Sequence, residues 1–387
     1  MSWIRRIALR NVRHIARLDV DLEPPPGAAF ASLVLTGDNG AGKTSALEAI
    51  VGEIVHAIAG DEHPAAEVEA ELARSPEAGP EERARRTRMA FLTRTTRLTW
   101  CADAATLARR FAEGDTVAAY VPAGDAPALV GEGDLAPRPP ADPSVRLAGR
   151  LEAFLAARLA PPGATDEAEL GERDETLRHG AWLASVRHAL RELFGESELE
   201  LGRGADGAVH LDLDRGRRRL ALAQLPAGYR RVLGMWAELT LRADAPGARA
   251  RPRGVLVVDA IEADLHPRLQ RSLLPALAAR FPDVQLVCAT HSPLVVTSLE
   301  TAMVVDVTHS HHETGRSLRE RGLDGVLRWM DGDPAERRRS VVPSAPAPPR
   351  SPSVPPPPGV PVRALGRPKR RPRPTLDGPG DPPDPEG

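Results

Sequence analysis

Residues 37–44, Gly37-Asp38-Asn39-Gly40-Ala41-Gly42-Lys43-Thr44, fit the pattern G-x-x-x-x-G-K-[ST] of a phosphate-binding loop. Its glycines let the backbone curl so that successive N–H groups point inward at phosphate oxygens. Lys43 adds a point charge for the β- and γ-phosphates of a nucleoside triphosphate. The Thr44 hydroxyl is a hard oxygen ligand for Mg²⁺. Such a loop alone binds nucleotide; a second acidic element must hold the ion and organise water. Val255-Leu256-Val257-Val258 ends on Asp259, which places a carboxylate at the end of an apolar run.

These side chains need rigid carriers. Leu33 to Leu35 read as a short buried strand ahead of the loop, and Ser45 to Ile50 continue as a helix whose N-terminus adds its field to the cradle. Near-continuous apolar runs at 254–259 and 284–290 are the pattern of central parallel strands. Residues 302–308 add one more strand, and helices are predicted at 267–280, from 294, and over 316–330. Upstream, residues 3–22 alternate as two strands with a turn near Asn11 to His14. Between the halves, 60–88 reads as a solvated excursion, 89–100 as a strand, and 120–146 as a Pro- and Gly-rich surface loop. Helices are predicted at 146–159 and 176–194. Two short strands within 198–224 precede Arg215-Gly216-Arg217-Arg218-Arg219, which is either a solvated hairpin turn or a DNA-backbone contact. His309, His311, His312 and Glu313 read as a polar loop after a strand, because no second cluster completes a metal site.

The expected fold class is α/β: a mostly parallel sheet flanked by helices, with an antiparallel N-terminal lobe and a helical insertion. The expected divisions are a nucleotide-binding domain over 1–339 and a tail over 340–387. The domain comprises 1–58, an inserted 59–219, and 220–339. More than a third of the 39 prolines fall in the tail, a composition that favours disorder or extended polyproline II. Its basic run, Arg367 to Pro374, is either solvated or a weak docking arm for a partner or nucleic acid. A formal net charge of −2 gives no global basic field, so any DNA contact must be local. Cys101 and Cys288 match no metal spacing and fit a reducing, cytoplasmic setting. No apolar run is long enough for a signal peptide or a membrane span.

Three blocks carry a family resemblance. Val255 to Pro267, VLVVDAIEADLHP, resembles the "DEIExHLHP" block of ABC-type P-loop ATPases of the RecF/SMC/OLD-like group. Ala289 to Pro293, ATHSP, resembles that group's "TTHSP". Residues 7–22 resemble its opening strands. The resemblance covers 1–58 and 220–330. It implies ATP with Mg²⁺, head-to-head dimers (homomeric or heteromeric) and work on DNA or an effector protein, as in DNA repair or antiviral defence, with no membrane involvement. It implies that Gly37, Asn39, Gly40, Gly42, Lys43 and Thr44 form the phosphate cradle, with Asp38, Ala41 and Ser45 in the same stretch. Asp259 and Thr44 would serve Mg²⁺, and His291 would be the switch histidine that senses the γ-phosphate. Asn11 and Arg13 fall where the group places polar groups near the nucleotide. LPAGYRRVLGMW at 225–236 resembles the signature "LSxGxRRxL", so Gly228 would face a partner's nucleotide.

Two departures bear on chemistry. The glutamate that polarises water in the group is replaced by Ala260, and the signature serine by Pro226. Glu262 stands two residues on, and the spacing leaves open whether it reaches the same point. The expectation is ATP binding with weakened hydrolysis.

Overall fold

Alternation along the apolar strands is what builds the molecule. In the computed structural model, residues 2–24, 28–59, 96–124, 141–159, 172–243, 252–333 and 335 are described. They lie within one unit, Met1–Val342. The expected tail, and the expected excursion at 60–88, lie outside the described residues.

The central sheet has six strands in the order β12-β11-β3-β10-β9-β5. These are β3 (Leu33–Thr36), β5 (Val117–Val121), β9 (Gly254–Val258), β10 (Val284–Ala289), β11 (Met303–Asp306) and β12 (His311–Thr314). All pairs are parallel except β11 with β12. Successive side chains on a strand point to opposite faces, and both faces of this sheet are covered. Val255, Val257, Val287, Leu33 and Leu35 join one apolar cluster. Leu256, Val258, Leu286, Cys288 and Val34 join the other. That two-sided burial is why these strands read as continuous apolar runs.

The first cluster lies under helix α1 (Lys43–Ala59) and the antiparallel sheet β2-β1-β4, made of β1 (Ile4–Val12), β2 (Ile15–Asp21) and β4 (Thr96–Trp100). Gln285 of β10 ties the two sheets together. Its side chain accepts from Ile4 N–H at 2.9 Å and donates to Ile4 O at 3.0 Å and Ala31 O at 2.7 Å. The second cluster lies under α3 (Leu151–Leu159), α4 (Glu172–Phe194), α5 (Ala227–Ala243) and α6 (Pro267–Arg280). A small antiparallel sheet of β6 (Glu200–Arg203), β7 (Val209–Leu213) and β8 (Arg218–Ala221) packs into the same cluster.

The segment expected to be inserted is helical in α2 (Ala104–Glu113), α3 and α4, and it also supplies β4 to one sheet and β5 to the other. Four local expectations are corrected. Tyr120 and Val121 belong to β5 rather than to a loop, because β5 pairs along its whole length with β9. His311, His312 and Glu313 belong to β12 rather than to a polar loop, because β11 offers them a free edge. The last predicted helix is two, α7 (Gly315–Glu320) and α8 (Gly322–Met330), broken where Gly322 takes φ 67°. Arg218 and Arg219 lie in β8, where the Arg219 guanidinium holds Asp212 at 2.8 and 3.1 Å, so the basic turn is shorter than expected.

Candidate nucleotide-binding site

The cleft sits at the C-terminal ends of β3, β9 and β10, where helix N-termini and loops converge. It has a volume of about 280 Å³. The loop after β3 contributes Gly40, Gly42, Lys43, Thr44 and Ser45 to its wall, β9 and its exit contribute Asp259 and Ala260, and β10 contributes Ala289, Thr290 and His291. Arg13 and His14 reach it from the β1–β2 turn, and Ala123 from the exit of β5. Sequence reasoning missed His14, Ala123 and Thr290.

The loop needs its glycines for two reasons. Gly37, Gly40 and Gly42 have φ of 135°, 81° and 98°, conformations that L side chains rarely adopt. At Gly37 a Cβ would also lie 2.7 Å from Thr308 Oγ1. That hydroxyl in turn accepts from Asp38 N–H at 2.8 Å, which fastens the loop to the exit of β11. Asp38 and Asn39 are exposed, and Ala41 is half-buried with its N–H on Asp38 O at 3.2 Å.

The Lys43 ammonium donates to Gly37 O at 2.9 Å and Asp38 O at 2.8 Å, folded back across the mouth of the loop. Burial pulls its pKa below the ordinary value, while the charges of Asp259, Glu262, Asp38 and Asp306 oppose that pull. Arg13 donates to Ser45 Oγ at 3.0 Å and lies near Glu48, so the β1–β2 turn is pinned to the start of α1. Asn11 is exposed with φ 55°, and it does not line the cleft.

Asp259 is almost fully buried. Its Oδ1 accepts from Ala260 N–H at 3.0 Å, whereas its Oδ2 is buried and has no hydrogen-bond partner in the chain. A buried carboxylate oxygen without a donor is costly unless a cation completes it. The donor set fits a hard divalent ion: one carboxylate oxygen, with Thr44 and its hydroxyl lining the same cleft.

Glu262 occupies a different place from the one Ala260 vacates. It does not line the cleft. Its Oε2 accepts from Thr290 Oγ1 at 2.7 Å and its Oε1 from His291 N–H at 2.8 Å. Both oxygens therefore position the histidine-bearing strand end. Burial, then the charge of Lys43, hold the His291 imidazole below its ordinary pKa, which favours the neutral ring at neutral pH.

Arg231, also missed from sequence, is fully buried on α5. Its Nη2 donates to Asp259 O at 2.5 Å and Ala260 O at 2.7 Å. It braces the turn at Ala260, a non-glycine residue with φ 46°. Gly228 lies on the same helix and does not reach the cleft. A Cβ there would meet Asp264 O at 2.5 Å, so the glycine allows α5 to press on the loop that follows Asp259.

A phosphate loop after β3, an aspartate ending β9 and a histidine ending the intervening β10 are the arrangement that the resemblance to ABC-type P-loop ATPases of the RecF/SMC/OLD-like group implies. Residues 139–297 match a family described as "AAA domain, putative AbiEii toxin, Type IV TA system". The chain is similar to Retron Ec83 probable ATPase of Escherichia coli, 28% identical over 111 residues, which is 28% of this chain and 20% of that protein. It is also similar to Retron Vc95 probable ATPase of Vibrio cholerae, 35% identical over 51 residues, 13% of this chain and 10% of that one. The aligned stretches thus span a fifth or less of these relatives. Among solved structures, an Smc head bound to the C-terminal winged-helix domain of ScpA aligns with TM-score 0.41 at 9% identity, covering 81% of this chain and 97% of that one. Among the described residues no helix is long and apolar enough to cross a membrane.

Proposed function

We propose that the protein binds ATP with Mg²⁺ in this cleft and uses binding, more than turnover, to close two heads on each other, so acting on DNA or on a partner effector. The observation that carries the reading is the unpartnered buried Oδ2 of Asp259, in the cleft that Lys43 and Thr44 also line. Lys43 would exchange its bonds to Gly37 O and Asp38 O for phosphate oxygens. The N–H groups of the loop and of the first turn of α1 would hold the rest of the triphosphate. Mg²⁺, when bound, would neutralise phosphate charge from its seat on Asp259 and Thr44. Glu262 and Thr290 would hold His291 against the γ-phosphate. The N-terminal turn of α5 would meet the nucleotide of a second copy or of a related head. DNA repair and antiviral defence rest on analogy with the resembled group alone. The likeness to two retron ATPases supports the ATPase part of this reading.

A second reading, a regulatory or scaffolding ATP-binding protein that does not hydrolyse, is favoured by one observation. Ala260 stands where a carboxylate would orient water, and loss of a positioned base costs a factor of ~10²–10⁴ in rate.

Titration with ATP and Mg²⁺, beside turnover measured with and without double-stranded DNA, tests both. Wild type should bind and Lys43→Ala should not; equal affinities would end the ATP-site reading. Turnover rising with DNA supports the switch, and negligible turnover in both conditions selects the second reading.

A further inference from the structure

The turn between β11 and β12 brings together side chains that the nucleotide reading does not use. Asp306 ends β11, pairs with Thr36 of β3 and with His311 of β12, and is fully buried. His309 lies in the turn and His311 opens β12. His309 Nδ1 is 2.9 Å from Asp306 Oδ2, and His311 Nε2 is 4.0 Å from the same oxygen. One ligand atom from each of the three residues lies within 4.8 Å of the others. The two histidine side chains are only 20% and 12% exposed. Alternation along β12 sends His312 to the opposite face, which is why a run of adjacent histidines says little until the strand is known.

We propose that Asp306, His309 and His311 form a Zn²⁺ site with one open position for water. Two imidazole nitrogens and one carboxylate oxygen are a donor set that zinc favours and Mg²⁺ does not. Zinc bonds of about 2.0–2.1 Å in a tetrahedron place ligand atoms ~3.3 Å apart. The separations here, 2.9 and 4.0 Å, bracket that spacing, so side-chain adjustments below an ångström close the site. The backbone already fixes two of the ligands, because Asp306 and His311 are a paired cross-strand couple and His309 N–H donates to Asp306 Oδ1 at 3.0 Å. The His311 ring is further held edge-on against Trp329, with centroids 4.5 Å apart. Zinc here would stiffen the segment whose Thr308 fastens the phosphate loop.

The test uses the full chain, stripped with a chelator and free of nucleotide. Zn²⁺ binding is measured by competition with a chromogenic chelator, and Co²⁺ is substituted for its visible spectrum. One tight Zn²⁺ per chain is expected, with a four-coordinate Co²⁺ spectrum and a melting temperature that rises with Zn²⁺ concentration. Loss of a group that merely supports a ligand costs 10–100-fold in metal affinity, so His309→Ala and Asp306→Asn should each cost ~100-fold or more. Asp259→Asn should leave Zn²⁺ affinity unchanged, which separates this site from the Mg²⁺ seat. His309→Ala decides the matter should His311→Ala unfold, since its backbone hydrogen bond to Asp306 survives. Absence of binding tighter than millimolar in the wild type overturns the proposal. So does His309→Ala binding Zn²⁺ as the wild type does, because the chain's other histidines would then be holding it.

Discussion

Ala260 and Glu262 are two residues apart, and the structure gives them separate jobs. Ala260 faces the cleft beside Asp259, and Glu262 is turned away to hold Thr290 and His291. A carboxylate restored at the first position has a route to water that Glu262 lacks. The left-handed backbone at Ala260 already carries a Cβ, so Ala260→Glu adds no new class of strain. We expect Ala260→Glu to raise ATP turnover by ~10-fold or more, within the range of a positioned base. Ala260→Glu with Pro226→Ser should exceed either change alone. A brisk wild-type rate abolished by Glu262→Gln would reverse the assignment. The loop, Asp259 and His291 were legible because each is a polar group at the end of an apolar run, a pattern visible in one dimension. Arg231 was less so. Its helical spacing from Gly228 and Met235 puts a guanidinium on a buried stripe, which signals a need for acceptors. The acceptors themselves, two carbonyls of the turn after β9, exist only once the helix is docked.

Helix α1 begins with the loop's last residues, Lys43 and Thr44, and its stability is tied to pH through Glu53. Burial raises the Glu53 carboxyl to a pKa of about 7, with Arg97 of β4 opposing. Because the folded value lies above the unfolded one, the native state binds more protons between them. Stability from this group is therefore complete below the unfolded value and is lost as pH rises through about 7. Glu53→Gln should stabilise the fold at pH ~8, by on the order of 1–3 kcal/mol and read as a higher melting temperature, and the gain should fade near pH ~5. Melts that differ equally at both pH values would show that the carboxylate is solvated. Among the elements, those whose apolar pattern follows their own period were readable in advance: β3, β9, β10 and α1. Others are fixed by a neighbour. The edge strand β12 forms because β11 offers unpaired backbone groups, and β5 because β9 does. Neither partner can be identified from composition within a short polar or proline-flanked stretch.

For the whole molecule, α5 braces the nucleotide cleft from within: Gly228 in its first turn lets the helix press on the Asp264 carbonyl, and Arg231 in its next turn holds the Asp259 carbonyl. ATP with Mg²⁺ should shift the wild type to a larger species in sedimentation, and should leave Lys43→Ala unshifted. A wild type that stays monomeric at every ATP concentration would count against closure by two copies of this chain. The sheet order has a consequence for synthesis. β3 pairs with β10 and β11. The contact from Asp38 to Thr308 spans 270 residues. A ribosome adding 5–20 residues per second would expose the apolar β3, unpaired on both sides, for roughly 13–50 s before those partners emerge. The glycine-rich loop is thus made well before the strands that complete its setting. During that interval the nascent chain presents the kind of bare strand that chaperones hold and aggregation captures.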